Sequence, residues 1–362
     1  MLTHTIFFLI GLTLLVAGAE SLVRGASKLA LSMGVSPLVV GLTVVAFGTS
    51  APELGVSVGA TLNGNPDLAI GNVIGSNIAN ILLILGISAV IASLLVHEQI
   101  IRQEIPIMLG ASVLMVVMAL DGVITRFEAA ALFALVVAYT VFLITQSRRA
   151  SAETQAEFAA EMPADSRWDR HWSVQVLLIV IGLAGLVLGS HWLVGAAVAF
   201  AQAFGVSDLV IGLTVVAVGT SMPEVATSVV AALRGERDIA VGNVIGSNVF
   251  NIFAVLGVTG MVSSGGIPVS EVARNFDLWV MLAVAFACLP IMLTGREIAR
   301  WEGAIFLGYY AAYTAWLVLS AQAHSALPSF SNIMLGYVMP ITVITIIVSV
   351  MRHNHRNGGT GP

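Results

Sequence analysis

The sequence predicts an all-α polytopic membrane protein, built as an inverted-topology 5+5 transmembrane repeat with one extra C-terminal helix. Three observations predict it. Of 362 residues, 58% are hydrophobic and 10% charged, with mean hydropathy +0.97; soluble domains carry about a quarter charged residues. The apolar residues fall into eleven runs near the length of about 20 residues that crosses a bilayer. One long segment occurs twice. This composition excludes an ordinary soluble enzyme, a nucleic-acid binder and a disordered chain. It implies the lipid bilayer as a partner, and no obligate protein partner is evident in the sequence.

Taken in order, the runs are 4–31, 36–62, 67–94, 104–120, 126–146, 173–203, 208–232, 238–263, 275–294, 301–321 and 332–351. Each is bounded by charged or Gly/Pro-containing punctuation. The first begins with no Lys or Arg before Ile6 and runs past signal-peptide length, so we expect a span rather than a cleaved leader. The expected organisation is a first five-helix unit (1–146), a polar loop (147–172), a second five-helix unit (173–322), and an additional helix with its tail (323–362). The single cysteine, Cys288, allows no internal disulfide and no thiolate metal site.

Basic residues set the orientation, because Lys and Arg collect on the cytoplasmic side. With the N-terminus outside, 13 of the 15 basic residues lie inside, and only Arg126 and Arg274 lie outside. The expectation is a multi-pass protein of the cell (inner) membrane, with the N-terminus outside, the C-terminus in the cytoplasm and the 147–172 loop cytoplasmic.

Residues 34–86 and 205–257 align at an offset of 171 with no gap and 34 identities in 53 positions. Gly11 and Gly182 keep that offset, which carries the duplication back into the spans before it. Each unit has five spans. Five is odd, so the second unit enters from the opposite side. Inverted repeats place a substrate site near the bilayer midplane, where the two units meet.

The chemistry lies in the duplicated segment. Spans 2 and 7 carry GTSAPE and GTSMPE. Ala46, Thr49, Ser50 and Glu53 follow one helical face, and Ala217, Thr220, Ser221 and Glu224 repeat it. Pro52 and Pro223 cannot donate to the carbonyls of Gly48 and Gly219, so both helices should break or kink there. A glutamate inside a span is costly, by roughly 2.5–3.5 kcal/mol on insertion scales. Two that meet need protons or bound cations. Spans 3 and 8 carry GNVIGSNIAN and GNVIGSNVFN. Asn72, Ser76 and Asn80 share one face, as do Asn243, Ser247 and Asn251. For Asn72 and Asn243, a ligand role and interhelical hydrogen bonding stay open. The glycines are read as packing. The donor set is all oxygen, which suits Na+, Ca2+ or Mg2+ and not zinc or copper. Two carboxylates neutralise one divalent ion or two monovalent ions, the physical requirement for exchange.

These paired motifs resemble the two alpha-repeats of the cation/calcium antiporter superfamily, and the chain is similar to its prokaryotic sodium/calcium exchanger family. The resemblance covers both repeats and is compatible with spans 1–10, but it does not cover span 11. It implies an antiporter exchanging Ca2+ for Na+ by alternating access, with no cofactor, and with spans 1 and 6 sliding across a core of spans 2, 3, 7 and 8. It implies Ca2+ held by the Glu53 and Glu224 carboxylates and the Thr49 and Thr220 carbonyls. One Na+ site would use Ser50, Ser76 and the Ala46 carbonyl, and its mirror image Ser221, Ser247 and the Ala217 carbonyl. Asn80 and Asn251 would face the centre. Many sodium-coupled members carry Asp where this chain has Asn251, so here the central charge is at most −2 and H+ coupling stays open.

Other groups have plainer readings. Asp67 and Asp238 are expected N-caps. Glu20 and its repeat partner His191 break the symmetry, and pairing or interfacial exposure is expected for both. Glu153, Glu157, Glu161, Asp165 and Asp169 form a solvated linker or a weak cation sensor. An intramembrane serine hydrolase would need a histidine base opposite Ser50, and a duplicated motif argues for a symmetric site instead; no enzyme is expected. A passive channel is the remaining alternative.

Overall fold

The computed structural model describes residues 2–149, 171–205, 217–345 and 347–348. Among these, ten helices are long and apolar enough to cross a membrane. We number them α1 (Leu2–Met33), α2 (Pro37–Leu62), α3 (Leu68–Ile91), α4 (Ile100–Ala119), α5 (Arg126–Ser147), α6 (Trp172–Ala203), α8 (Arg237–Val262), α9 (Ala273–Leu293), α10 (Arg300–Ala321) and α11 (Leu327–Thr345). Between α6 and α8 lies α7, described as Ala217–Thr220 and Met222–Leu233. Residues 206–216, which hold the first part of the expected span 208–232, lie outside the described residues. So do the acidic residues of the 147–172 loop.

Two short strand pairs make the inversion visible. Leu94–Leu95, after α3, pairs antiparallel with Glu297–Ile298, after α9. Val123–Ile124, after α4, pairs with Ile267–Pro268, after α8. The segments after α3 and α8 are repeat equivalents, and so are those after α4 and α9. Successive loops lie on opposite faces, so the α3–α4 and α4–α5 loops are on opposite sides. Each equivalent in the second repeat is thus pinned to the face opposite its counterpart in the first.

α1 and α6 run antiparallel with their backbones in contact. A Cβ on Gly182 would lie 2.6 Å from the Leu22 nitrogen, and one on Gly11 2.7 Å from the Leu193 nitrogen. Lipid gives helices no hydrophobic reason to associate, so such close approach of small residues drives their packing. α8 is enclosed on all sides and forms the centre of the bundle. None of α11 is buried; it lies outside α10, tied by Tyr309 Oη to Thr342 Oγ1 (2.6 Å) and Trp316 Nε1 to Ser331 Oγ (3.2 Å).

Two sequence expectations are corrected. α11 starts at Leu327, not 332, because Pro328 opens its first turn. Asp67 and Asp238 are not N-caps: Asn65 and Glu236 hold those positions, and each aspartate is the second residue of its helix. Both turns close at a glycine of positive φ, Gly64 (+78°) and Gly235 (+80°), which leaves a single residue before the helix begins. Asp238, in the first turn of its helix, still complements the helix dipole.

Candidate ion-binding site

The GTS-x-PE motif breaks its helix in both repeats. Ser50 has φ −80° and ψ 2°, and Ser221 φ −86° and ψ 8°, each between two helical segments. The missing proline N–H explains the break. The carbonyl this frees at Gly219 accepts a hydrogen bond from Ser190 Oγ of α6 at 2.7 Å. On α3 and α8 the backbone widens instead. π-Helical stretches of six and five residues begin at Asn80 and Asn251, respectively, a local distortion common at functional sites.

These devices bring the expected side chains together in the centre of the bundle. Glu53, Glu224, Thr49, Ser50, Ser221, Ser76, Ser247, Asn80 and Asn251 are each 3% exposed or less. The carboxylates are held crosswise: Ser221 Oγ donates to Glu53 Oε1 at 3.2 Å, and Ser50 Oγ to Glu224 Oε1 at 3.4 Å. Ser76 Oγ lies 3.4 Å from Ser221 Oγ. Thr49 Oγ1 donates to Asn243 Oδ1 (3.1 Å), with the Ala46 carbonyl 3.3 Å away. Ala217 and Thr220 lie in the helical segment just before the Ser221 break.

Asn72 and Asn243 are interhelical clamps. Asn72 Nδ2 donates to the Glu53 carbonyl (3.2 Å) and to Ser57 Oγ (3.0 Å). Asn243 Nδ2 reaches the Glu224 carbonyl (3.5 Å) and Ser228 Oγ (2.9 Å). Each fixes the backbone that carries a glutamate.

What remains is a set of buried oxygens with no partner: Glu53 Oε2, Glu224 Oε2, Asn80 Oδ1, Asn251 Oδ1 and Ser247 Oγ. Buried polar groups normally find partners. Four of these five are pure acceptors, and a cation satisfies acceptors where a neighbouring donor does not.

The sequence of the molecule is also matched by a family model, described as sodium/calcium exchanger protein, over residues 3–145 and 174–319. The chain belongs to the sodium/calcium exchanger protein family. α11 lies beyond the residues matched to that family. Among relatives, a putative antiporter CaxA of Alkalimonas amylolytica is 41% identical, covering 86% of this chain and 98% of that protein. The sodium/calcium exchanger MaX1 of Methanosarcina acetivorans is 34% identical, over 85% and 96%. A solved structure of the sodium–calcium exchanger NCX_Mj superposes with TM-score 0.74 at 31% identity, covering 87% of this chain and 98% of that one.

Within this exchanger fold, sequence reasoning missed Asn77, Asn248, Met108, Met281, Ser57, Ser228 and Ser190. For the asparagines and Ser57/Ser228 a signal existed: each recurs at the offset of 171. The methionines stand 173 apart, outside the aligned segment, and Ser190 faces Ala19 at the offset, so neither repeats. His191 is exposed on α6, and the Ser50 hydroxyl is directed at a carboxylate rather than at an imidazole.

Proposed function

We propose that the chain is a secondary active antiporter that exchanges Ca2+ for Na+ by alternating access, with the ions held by Glu53, Glu224 and the Thr, Ser, Asn and backbone oxygens around them. The observation that carries this reading is the buried set of unpartnered acceptor oxygens around two cross-held carboxylates. Two negative charges match one Ca2+ or two Na+, so either load leaves the site neutral. Ca2+ tolerates the irregular oxygen cage such a set provides.

A second reading, H+ coupling on the same scaffold, is favoured by Asn80 and Asn251. With no third carboxylate, a third Na+ would leave a net positive charge in low dielectric. One experiment separates the readings: Ca2+ uptake into proteoliposomes preloaded with Na+, K+ or choline, with imposed pH gradients. Uptake driven by internal Na+ alone is expected. Uptake driven by the pH gradient in choline would support H+ coupling. Uptake with no counter-gradient would mark a channel.

Alternating access is supported by an asymmetry between the repeats. α1 packs along Met222–Leu233 and Thr227 there is fully buried, whereas its equivalent on α2, Val56, is 45% exposed. The site is thus covered at one end. Two contacts hold that cover. Ser190 binds the Gly219 carbonyl, and Glu20 pairs with Arg234. Their repeat equivalents are Ala19 with Gly48 and His191 with Asn63, which lack the hydroxyl and the opposite charges. The opposite-facing state, with the repeats exchanging roles, therefore has no equivalent pair of contacts. Ser190→Ala combined with Glu20→Gln should move the population toward it by roughly five- to tenfold, most of it from the hydrogen bond at about 1 kcal/mol. In a Cys288→Ser background, a cysteine placed at Val56 reports the shift as slower labelling by a membrane-impermeant maleimide. Unchanged labelling would refute it.

We place the N-terminus outside and the C-terminus in the cytoplasm of the inner membrane, on the distribution of basic residues. A reporter after Ala321 should lie outside and one at the C-terminus inside. Reporters on the same side would take α11 out of the membrane.

A further inference from the structure

An asparagine beside a cation has two faces. Its carbonyl oxygen binds the ion, and its amide group repels it. Something must decide which face turns inward. Asn80 and Asn251 have an unpartnered Oδ1 in the buried site, and their amide groups are spent across the repeat interface. Asn80 Nδ2 donates to Asn248 Oδ1 at 3.1 Å, and Asn251 Nδ2 to Asn77 Oδ1 at 3.2 Å. Asn248 and Asn77 are asparagines too, so the question moves back one residue. There it is answered by sulfur. Asn248 Nδ2 points at Met108 Sδ (3.4 Å) and Asn77 Nδ2 at Met281 Sδ (3.6 Å). A thioether is a weak acceptor with no proton to donate. Turning either amide round would set its oxygen against a sulfur that offers nothing, in a buried place where a lost partner is costly.

We propose that Asn77 and Asn248, each backed by a thioether, are positioning residues that turn the carbonyl oxygens of Asn251 and Asn80 toward the transported cation. One relay runs from Met108 on α4 through Asn248 on α8 to Asn80 on α3. The other runs from Met281 on α9 through Asn77 on α3 to Asn251 on α8. The proposal rests on the ion-site reading above and deepens it. It also makes the site selective for asparagine at positions 80 and 251. An ionised aspartate at 251 has no proton to give Asn77, which would have to turn round and leave its own oxygen against Met281.

Met108→Leu and Met281→Leu test the relay, since they keep the volume and remove the acceptor. Purified protein is titrated with Ca2+ and, separately, Na+, and the thermal shift gives apparent affinities; Ca2+ uptake in proteoliposomes gives KM and kcat. Each substitution should weaken the apparent Ca2+ affinity by about three- to tenfold, the scale of one hydrogen bond. kcat should change little, and the melting temperature without cations should fall only by the small amount that losing one weak thioether acceptor costs. A packing role would lower the melting temperature and leave the Ca2+ affinity unchanged. The second arm is Asn251→Asp at alkaline pH, alone and with Met281→Leu. The double variant should bind Ca2+ better than Asn251→Asp alone, because Asn77 is then free to turn. Unchanged Ca2+ affinity in both leucine variants would overturn the relay, and so would equal behaviour of Asn251→Asp in the two backgrounds. A wild-type protein with no cation-dependent shift would instead overturn the ion site itself.

Discussion

Glu53→Gln and Glu224→Gln are each expected to reduce Na+-driven Ca2+ uptake to background while the protein remains folded. The substitution keeps the side-chain shape and the acceptor that Ser221 or Ser50 binds. It removes one of two negative charges and puts an amide group in place of the unpartnered Oε2. A unit charge and a divalent ion about 4 Å apart attract by about 8 kcal/mol at an effective dielectric constant of about 20, or about six orders of magnitude in affinity. The remaining carboxylate cannot neutralise a divalent ion by itself. Folding should not suffer, because each glutamate is a buried charge whose removal relieves a desolvation cost. The measurement is Ca2+ uptake in proteoliposomes, with monodispersity and melting temperature recorded on the same preparations. Near-normal uptake by either variant would remove these glutamates from the ion site.

Why could so much of this site be read from the chain alone? An internal repeat acts as its own comparison. A residue type kept at both copies of an inverted unit must serve a two-fold arrangement, and intramembrane Glu, Ser and Asn are expensive enough to need a reason. The helix break was legible as well, since a proline removes one particular hydrogen bond. The π-helical stretches at Asn80 and Asn251 were not, because their residues have ordinary helical propensities and the distortion comes from packing. Met108 and Met281 were invisible for another reason. Methionine in a membrane helix reads as apolar filler, and only three-dimensional proximity shows which sulfur meets which amide. Ser190 belongs to what the repeats do not share, so a search for symmetry passes over it; Glu20 stood out because it breaks the symmetry, and the pairing expected for it is with Arg234. Asp67 and Asp238 were misplaced by two residues because the turns closed by Gly64 and Gly235 leave one residue before each helix, which puts the N-caps at Asn65 and Glu236.

Gly182→Ala should disrupt the α1–α6 pair and abolish transport, although it adds only one methyl group and improves helix propensity. The new Cβ would lie 2.6 Å from the Leu22 nitrogen and 2.8 Å from the Gly18 carbonyl oxygen. These are backbone atoms on a facing helix, so no side-chain rotation makes room and the two helices must separate. The separation cannot stay local. Gly11 and Gly189 make equally close backbone contacts further along the same seam, so a shift at Gly182 opens those as well. Overpacking commonly costs about 1–3 kcal/mol, and more where nothing can yield, and in lipid no hydrophobic force draws the separated helices back. A change in the α1–α6 spacing also moves Ser190 off the Gly219 carbonyl and Glu20 off Arg234. Gly195→Ala is the control. Gly195 is on the same helix and exposed, and a Cβ added there would meet nothing within 4 Å. That variant should transport normally, with a melting temperature equal to or above wild type. A Gly182→Ala protein that melts and transports like the Gly195→Ala protein would show that the close seam is not what holds the two helices together.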